Sequence, residues 1–172
     1  MTGAIAQVMW IKFRLDGLQD TDRLGRVLGR NLPLHAVCLC RGDLAAGKTT
    51  LIKRICAEFG IDPKIVISPT YTIANWYQGT VSVCHVDFYR LEDADQLQEI
   101  DQDDWLNPDG PTFIEWPDIA APLLDGIATL LLDLSPVDDD ENARYVRISS
   151  EDPAYAGTFA ALEQEFRCSR LL

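Results

Sequence analysis

Short apolar runs and stretches with helical spacing follow one another along the chain, and their order predicts an α/β fold. Strands are predicted where apolar residues alternate or run together, and helices where they recur three and four positions apart. Because the two patterns interleave, they favour a largely parallel sheet with an antiparallel portion. The predicted strands span residues 7–15, 36–40, 65–67, 71–77, 81–86, 112–114, 129–134 and 145–148. The predicted helices span residues 24–32, 49–59, 93–101 and 154–166.

The most informative strand pattern is Ala36–Cys40, which is apolar throughout. A strand buried on both faces of a parallel sheet has this composition. Cys38 and Cys40 are two residues apart, so a strand would point both side chains to the same face. The mixed stretch 7–15 indicates an edge or early strand, and Gln78–Thr80 separates two strand-like runs as a hairpin turn would.

Local signals also delimit the predicted helices. Asp20–Asp22 offers capping side chains to the first helix, and Pro33 closes it. Gly60 is the expected stop of the second helix, since a glycine readily adopts the left-handed conformation that ends a helix.

Composition agrees with one globular domain spanning residues 1–172. Hydrophobic residues make up 47% and charged residues 24% of the chain, which provides a core and excludes the disordered, collagen-like and low-complexity classes. Five cysteines without a C-x-x-C pair indicate buried, reduced thiols of a cytosolic protein. No signal-peptide pattern and no apolar run near the ~18 residues of a membrane span occur, so we expect a cytoplasmic protein without membrane association.

The charge balance limits the partners that the surface can attract. The chain has 27 acidic and 15 basic residues and a formal net charge of −12. Binding to nucleic acid depends on lysines and arginines that neutralise phosphates. We therefore expect no direct DNA binding, and we expect any role on RNA to depend on a partner protein.

The strongest motif is Gly42–Thr49, which reads G-D-L-A-A-G-K-T. It satisfies G-x-x-x-x-G-K-[ST], with a predicted buried strand before it and a predicted helix after it. Backbone N–H groups of such a loop form a concavity for phosphate oxygens, and the positive end of the helix points into the same space. Lys48 would then reach the β- and γ-phosphates, and the Thr49 hydroxyl would ligate Mg²⁺.

Two carboxylates are candidates for completing this site. Asp87 and Glu115 each end an apolar strand pattern, and ligands of open α/β sheets bind at the carboxyl ends of the strands. Either acid is suited to a Walker-B-type role beside the metal. The hydroxyls of Ser68 and Thr70 either sense the γ-phosphate or metal or cap a plain turn around Pro69.

His85 precedes Asp87 by two residues and would share its strand face. A lone histidine in this position is more often a hydrogen-bonded core residue than a catalyst. The sequence has no His, Cys and Asp cluster with zinc spacing and no G-x-S-x-G elbow.

Four segments together resemble the TsaE (YjeE) family. They are G-D-L-A-A-G-K-T-T at 42–50, S-P-T-Y at 68–71, H-V-D-F-Y-R at 85–90 and E-W-P at 115–117. The resemblance extends from about Thr21 to Pro117, and the C-terminal part of the chain has none of these motifs. It implies a three-layer, P-loop NTPase-like sandwich and an ATPase that uses ATP and Mg²⁺.

The same resemblance implies a cellular role. The ATPase would support homologues of TsaB and TsaD, which make N6-threonylcarbamoyladenosine (t6A) in tRNAs that read codons starting with adenine. The tRNA would be contacted only through that complex.

The resemblance also implies roles for individual residues. Lys48, Thr49 and Thr50 would hold the phosphates and Mg²⁺, Asp87 would take the Walker-B-like place, and Glu115 would contact the metal or position water. Trp116 would support the nucleotide site, and Thr21 would lie near the base. The implied catalytic residues are Lys48, Asp87 and Glu115; the implied metal ligands are Thr49, Asp87 and Glu115; the implied nucleotide-binding residues are Thr21, Gly42, Ala45, Ala46, Gly47, Lys48, Thr49, Thr50 and Trp116.

One residue departs from the family pattern. Ala45 stands where the family loop usually has a glycine. If this position requires a positive φ, an alanine there costs conformational energy. The expected consequence is a slightly reshaped loop with altered phosphate affinity.

Two other functions are compatible with a phosphate-binding loop. A small-molecule or nucleoside kinase would need an arginine-rich lid, but between Arg54 and Arg144 the only basic residues are Lys64 and Arg90. A nucleotide-gated binding module without physiological turnover would share the loop and the carboxylates. The acidic stretch 95–104 is either a docking surface or a solvated helix face.

Overall fold

The computed structural model describes residues 8–91, 105–106 and 109–166. Its centre is a seven-stranded sheet with the strand order β1-β7-β6-β2-β5-β4-β3. The strands are β1 (Met9–Leu15), β2 (Val37–Arg41), β3 (Ala74–Gln78), β4 (Ser82–Asp87), β5 (Thr112–Glu115), β6 (Thr129–Val137) and β7 (Asp140–Ser150). The α-helices are α1 (Leu18–Asn31), α2 (Lys48–Glu58) and α3 (Ala156–Glu165). Two short 3-10 helices span Pro117–Leu123 and Pro153–Tyr155.

The sheet has a parallel centre and antiparallel ends. Strand β2 pairs in parallel with β5 and with β6, and β4 pairs in parallel with β5. The hairpins β3–β4 and β6–β7 and the pair β1–β7 are antiparallel. The predicted α/β class is confirmed, and the antiparallel portion amounts to half of the neighbouring pairs. The mixed stretch at the start of the chain is the edge strand β1, as predicted.

Two apolar clusters cover the two faces of the sheet. One face packs against α1, α2 and α3 through residues such as Leu28, Ile52 and Phe159. The opposite face is covered by Trp105 and the 3-10 helix Pro117–Leu123. The fully buried Cys38 and Cys40 both lie on the α-helical side, as their spacing predicts for a central strand.

The strand predicted at 65–67 is wrong. These residues form no strand, and Ile65 and Ile67 are 55% and 58% exposed. Instead of a ladder partner, Ile67 has the Tyr77 hydroxyl, which accepts from its N–H at 3.1 Å and donates to its carbonyl at 2.9 Å. Only Val66 reaches the core. A run of apolar residues was therefore not sufficient to form a strand without a neighbour to pair with.

Two other predicted boundaries need correction. Helix α1 begins at Leu18 with Gly17 as its N-cap and has no side-chain cap, so Asp20 lies in its first turn and accepts from the Asp16 N–H at 2.9 Å. Strand β3 begins at Ala74 and not at residue 71, because the Ile73 N–H closes a turn onto the Pro69 carbonyl at 2.8 Å. The predicted helix at 93–101, the whole acidic stretch 95–104 and Cys168 lie outside the described residues.

The described cysteines are free thiols, and all four are buried: Cys38, Cys40, Cys56 and Cys84. Burial raises the pKa of Cys56 and of Cys84 to about 12, and it raises the pKa of Cys38 and of Cys40 as well. A helix with the length and apolarity of a membrane span does not occur in the described part of the chain.

The buried thiols predict a loss of stability at alkaline pH. Since an unfolded cysteine ionises near pH 8.5 and Cys84 stays protonated to about pH 12, its contribution is fully present below ~8.5 and is lost as pH rises. Between pH 8 and 10 the expected loss is about 2 kcal/mol for each such thiol. Urea unfolding at several pH values measures it, and Cys84→Ala should lose about 2 kcal/mol less than wild type over this interval. Equal losses in both proteins would contradict the assignment.

Candidate functional site

The connection from β2 to α2 is a tight loop built on left-handed backbone conformations. Gly42 has φ 133° and Gly47 has φ 103°. A Cβ at Gly42 would lie 2.3 Å from the Leu134 carbonyl oxygen of β6, so this position accepts only glycine. Ala45 has φ 63°, which answers the question raised by the sequence: the alanine does occupy a left-handed position, at a cost of about 1–2 kcal/mol.

The N-terminus of α2 leaves its amide donors available. The Leu51 N–H bonds the Gly47 carbonyl at 2.9 Å, so the preceding N–H groups have no partner within the helix. No side chain caps this end, and no acidic residue lies in the first turn. The partial positive charge of the helix end is therefore not offset by a capping side chain or by an acidic residue of the helix's own first turn.

Lys48 adds a full positive charge to this helix end. Its side chain is buried, with 5% of its surface exposed. The ammonium donates to the carbonyls of Gly42 at 2.7 Å and Asp43 at 2.9 Å and lies 4.1 Å from the centre of the Trp116 ring. Among the ion pairs formed within the described residues, none includes Lys48. A buried cation without a carboxylate partner calls for an anionic ligand.

Glu115 accepts hydrogen bonds from two sides at the end of β5. The Thr49 hydroxyl donates to Oε1 at 2.6 Å, and His85 Nε2 lies 3.0 Å from the same oxygen. Because a carboxylate only accepts, these distances assign the histidine proton to Nε2. His85 is fully buried and Glu115 is 4% exposed. His85 is thus a hydrogen-bonded core residue, and its partner is a predicted site residue.

Asp87 stands beside Glu115, because these two residues are register partners on the parallel strands β4 and β5. Its Oδ2 accepts from the Ser68 hydroxyl and, at 3.1 Å, from the Thr70 hydroxyl. Its Oδ1 accepts from the Tyr89 N–H at 2.9 Å. Ser68 and Thr70 therefore reach the carboxylate of β4, and they are 2.9 Å apart from each other.

Trp116 closes the site on the side of the 3-10 helix. It has φ 57° and is the N-cap of Pro117–Leu123. Its ring lies over the Lys48 ammonium and is 5.0 Å from the Tyr89 ring, centre to centre. The Arg41–Asp118 ion pair at 2.6 Å ties this 3-10 helix to β2.

Two cavities flank the loop. The larger, of about 450 Å³, brings together most of the predicted residues. The smaller, of about 300 Å³, has apolar walls from Leu15, Leu18 and Leu134 and includes Thr21, whose hydroxyl donates to the Gly17 carbonyl at 3.1 Å. The larger cavity is lined by Leu44, Ala45, Ala46, Gly47, Lys48, Thr49, Thr50, Ser68, Thr70, Asp87, Tyr89, Glu115 and Trp116. Four residues line both cavities: Ala45, Ala46, Gly47 and Thr50.

The sequence prediction missed two side chains of the site. Tyr89 lies inside the segment 85–90, and its ring contacts the Trp116 ring in a tilted arrangement. Its position within a recognised motif is the signal that could have identified it. Arg144 of β7 donates to the carbonyl of Ala46 at 3.1 Å. It belongs to no motif and is 98 residues away in sequence, so no local signal could have identified it.

The donor set fits Mg²⁺ better than a transition metal. No group of three or more histidine, cysteine, aspartate or glutamate side chains that could hold a metal ion occurs in the described ranges. Thr49, Asp87 and Glu115 offer only oxygen atoms. Mg²⁺ is typically bound by one or two carboxylates together with substrate phosphates and water, so a phosphate would have to complete its coordination here.

Comparison with known proteins identifies the family of this chain. The family model described as threonylcarbamoyl adenosine biosynthesis protein TsaE matches residues 15–146. A Synechocystis protein named tRNA threonylcarbamoyladenosine biosynthesis protein TsaE is 38% identical over 112 residues, which are 63% of this chain and 71% of that protein. The protein of the same name from Aquifex aeolicus is 31% identical over 136 residues, 78% of this chain and 92% of that protein.

A solved structure shares the fold. The crystal structure of Bacillus subtilis YdiB superposes with a TM-score of 0.69 at 22% identity and covers 94% of this chain and 97% of that one. Since the family model spans well over half of the sequence, the chain belongs to the TsaE family of threonylcarbamoyl adenosine biosynthesis proteins.

Proposed function

We propose that this protein binds ATP with Mg²⁺ and hydrolyses the γ-phosphate in support of t6A formation in tRNA. One observation supports the binding step above all others: the buried Lys48 ammonium has only carbonyl oxygens and an aromatic ring as partners. It stands at an uncapped helix end. A polyphosphate would satisfy both at once, because backbone amides and the ammonium can share its oxygens.

The two cavities suggest how the nucleotide lies. The larger one has Lys48, Thr49 and the two carboxylates, which suits the β- and γ-phosphates and the cation. The smaller one has leucine walls and Thr21, which suits the base and ribose. Because the loop lines both, the α-phosphate would cross at Ala46 and Gly47.

The carboxylates would divide the remaining work. Mg²⁺, when bound, neutralises developing charge on the phosphates. Thr49 would exchange its bond to Glu115 for a place at the cation, which frees Glu115 Oε1 to accept from the attacking water. His85 would hold Glu115 in place through Nε2. Asp87 would stay hydrogen-bonded to Ser68 and Thr70. Because these two residues lie in the loop that follows Val66, this loop would respond to the γ-phosphate.

The family assignment supports a place in t6A biosynthesis, since the matched relatives are named for this process. We propose that the partners are homologues of TsaB and TsaD and that tRNA is reached through their complex. The net charge of −12 supports partner-mediated contact with RNA. We also propose that turnover is weak when the protein is alone and that the partners complete the site.

Lys48→Ala should abolish tight ATP binding. It removes the only cation among the described residues that line the larger cavity, while the amides remain. We therefore expect the dissociation constant for ATP to rise at least 100-fold, equivalent to about 3 kcal/mol. Isothermal titration calorimetry measures it. Lys64→Ala removes the same charge at an exposed position and should bind ATP as wild type does. Unchanged affinity in Lys48→Ala would refute the phosphate assignment.

Glu115→Gln should impair hydrolysis more than binding. The amide keeps the size of the side chain but accepts a proton poorly, so we expect kcat to fall at least 100-fold with an ATP dissociation constant within about fivefold of wild type. Steady-state phosphate release and calorimetry separate the two quantities. Equal kcat values would remove Glu115 from the mechanism.

Depleting the protein in its own cells should lower the t6A content of tRNA. Nucleoside mass spectrometry of purified tRNA gives the amount directly. Restoring expression of the wild type should recover t6A, whereas Lys48→Ala should not. Normal t6A after depletion would exclude this pathway and would leave the ATPase proposal standing.

A further inference from the structure

The guanidinium of Arg144 in β7 donates hydrogen bonds to backbone carbonyls of the phosphate-binding loop and of its own hairpin. Nε donates to the Ala46 carbonyl at 3.1 Å, and Nη2 is 3.5 Å from the Ala45 carbonyl. Nη1 donates to the carbonyls of Glu141 at 2.7 Å and Ala143 at 2.6 Å. The guanidinium therefore joins the β6–β7 hairpin to the two alanines of the loop. It also lines the smaller cavity.

The geometry of the peptide unit links this contact to the direction of an N–H group on the phosphate side of the loop. In a trans peptide the carbonyl of one residue and the N–H of the next point in opposite directions. Because Arg144 holds the Ala46 carbonyl towards β7, the Gly47 N–H is directed away from β7. Gly47 also lines the larger cavity, and its N–H is one of the donors that precede the first helical hydrogen bond of α2.

The backbone conformation of Ala45 gives a reason why this chain needs the hydrogen bonds from Arg144 to the loop. An alanine at φ 63° is strained, since its Cβ crowds the backbone in the left-handed region. The other positive-φ loop positions, Gly42 and Gly47, have no Cβ. Without an external partner, the segment around Ala45 would relax towards ordinary conformations and turn the Ala46 peptide.

We propose that Arg144 is a positioning residue of the nucleotide site, which keeps the loop in its phosphate-binding shape although Ala45 is not a glycine. The inference rests on the proposed ATP binding. Arg144 touches no phosphate in this scheme; it acts through the Ala45 and Ala46 carbonyls. Its contribution should therefore depend on which residue occupies position 45.

A double-mutant cycle tests this dependence. We would measure the ATP dissociation constant for wild type, Arg144→Ala, Ala45→Gly and the double variant by calorimetry. Arg144→Ala should weaken ATP binding about tenfold in the Ala45 protein and about threefold or less in the Ala45→Gly protein, because glycine adopts positive φ without support. Arg144→Lys keeps the charge but lacks the planar fork, so it should recover only part of the loss.

Two further measurements separate positioning from general effects. Arg147→Ala removes the same charge three residues along β7, at an exposed position, and should leave ATP binding within twofold of wild type. In steady-state hydrolysis Arg144→Ala should raise KM for ATP about tenfold and change kcat less than threefold. Circular dichroism and thermal unfolding establish whether each variant is folded, and Arg144→Lys supplies the comparison if Arg144→Ala is not.

The outcomes are distinct. Wild-type ATP affinity in folded Arg144→Ala, or in Arg144→Lys if the alanine variant does not fold, would overturn the proposal. So would an equal loss in Arg147→Ala, or the same factor with alanine and with glycine at position 45. A wild-type protein that binds no ATP would overturn the proposed function and this inference together. ATP binding and hydrolysis by wild type, with no effect of Arg144, would overturn the inference alone.

Discussion

The architecture of the site depends on a buried positive charge without a carboxylate partner. Lys48 sits at the first position of α2, where the uncapped helix end is itself positive, and its ammonium reaches only carbonyls and the Trp116 ring. Burying a cation in this way costs free energy that folding alone does not return. The loop after β2 offsets part of this cost, because its Gly42 and Asp43 carbonyls accept hydrogen bonds from the ammonium. A bound polyphosphate would supply the rest.

The carboxylates of the site, Asp87 and Glu115, do not pair with this cation. Parallel pairing of β4 with β5 sets Asp87 beside Glu115, and each carboxylate is satisfied by hydroxyl, amide or imidazole donors rather than by Lys48. Had either acid paired with the lysine, the helix end would be neutralised and would attract phosphate poorly. Because the Lys48 ammonium is not paired with the carboxylates of Asp87 and Glu115, a cation and a phosphate could bind between these groups. The same arrangement makes Thr49 the natural link, since its hydroxyl already contacts Glu115.

Sequence could predict the parts of this arrangement that local pattern determines. The motif predicts the loop Gly42–Thr49 between a buried strand and a helix. Motifs and the rule that ligands lie at the carboxyl ends of strands predict the acids that end β4 and β5. Contacts between distant segments could not be read in this way. The run at 65–67 looked like a strand, yet Tyr77 binds its backbone instead. Arg144 is invisible to pattern because its partners are carbonyls of Ala45 and Ala46, which every residue possesses.

The C-terminal hairpin β6–β7 has no motif of its own, yet it is part of the site because it contacts the backbone of the loop. The Leu134 carbonyl oxygen of β6 would lie 2.3 Å from a Cβ at Gly42, so β6 requires a glycine at the start of the loop. Arg144 of β7 holds the peptides around Ala45 from the opposite end. Both interactions use backbone atoms of the loop. The family match extends to residue 146, beyond the last recognised motif at Pro117. The neighbouring strands thus contact the backbone of this loop from two sides, and under our proposal the contact from β7 is what keeps Ala45 in its left-handed conformation.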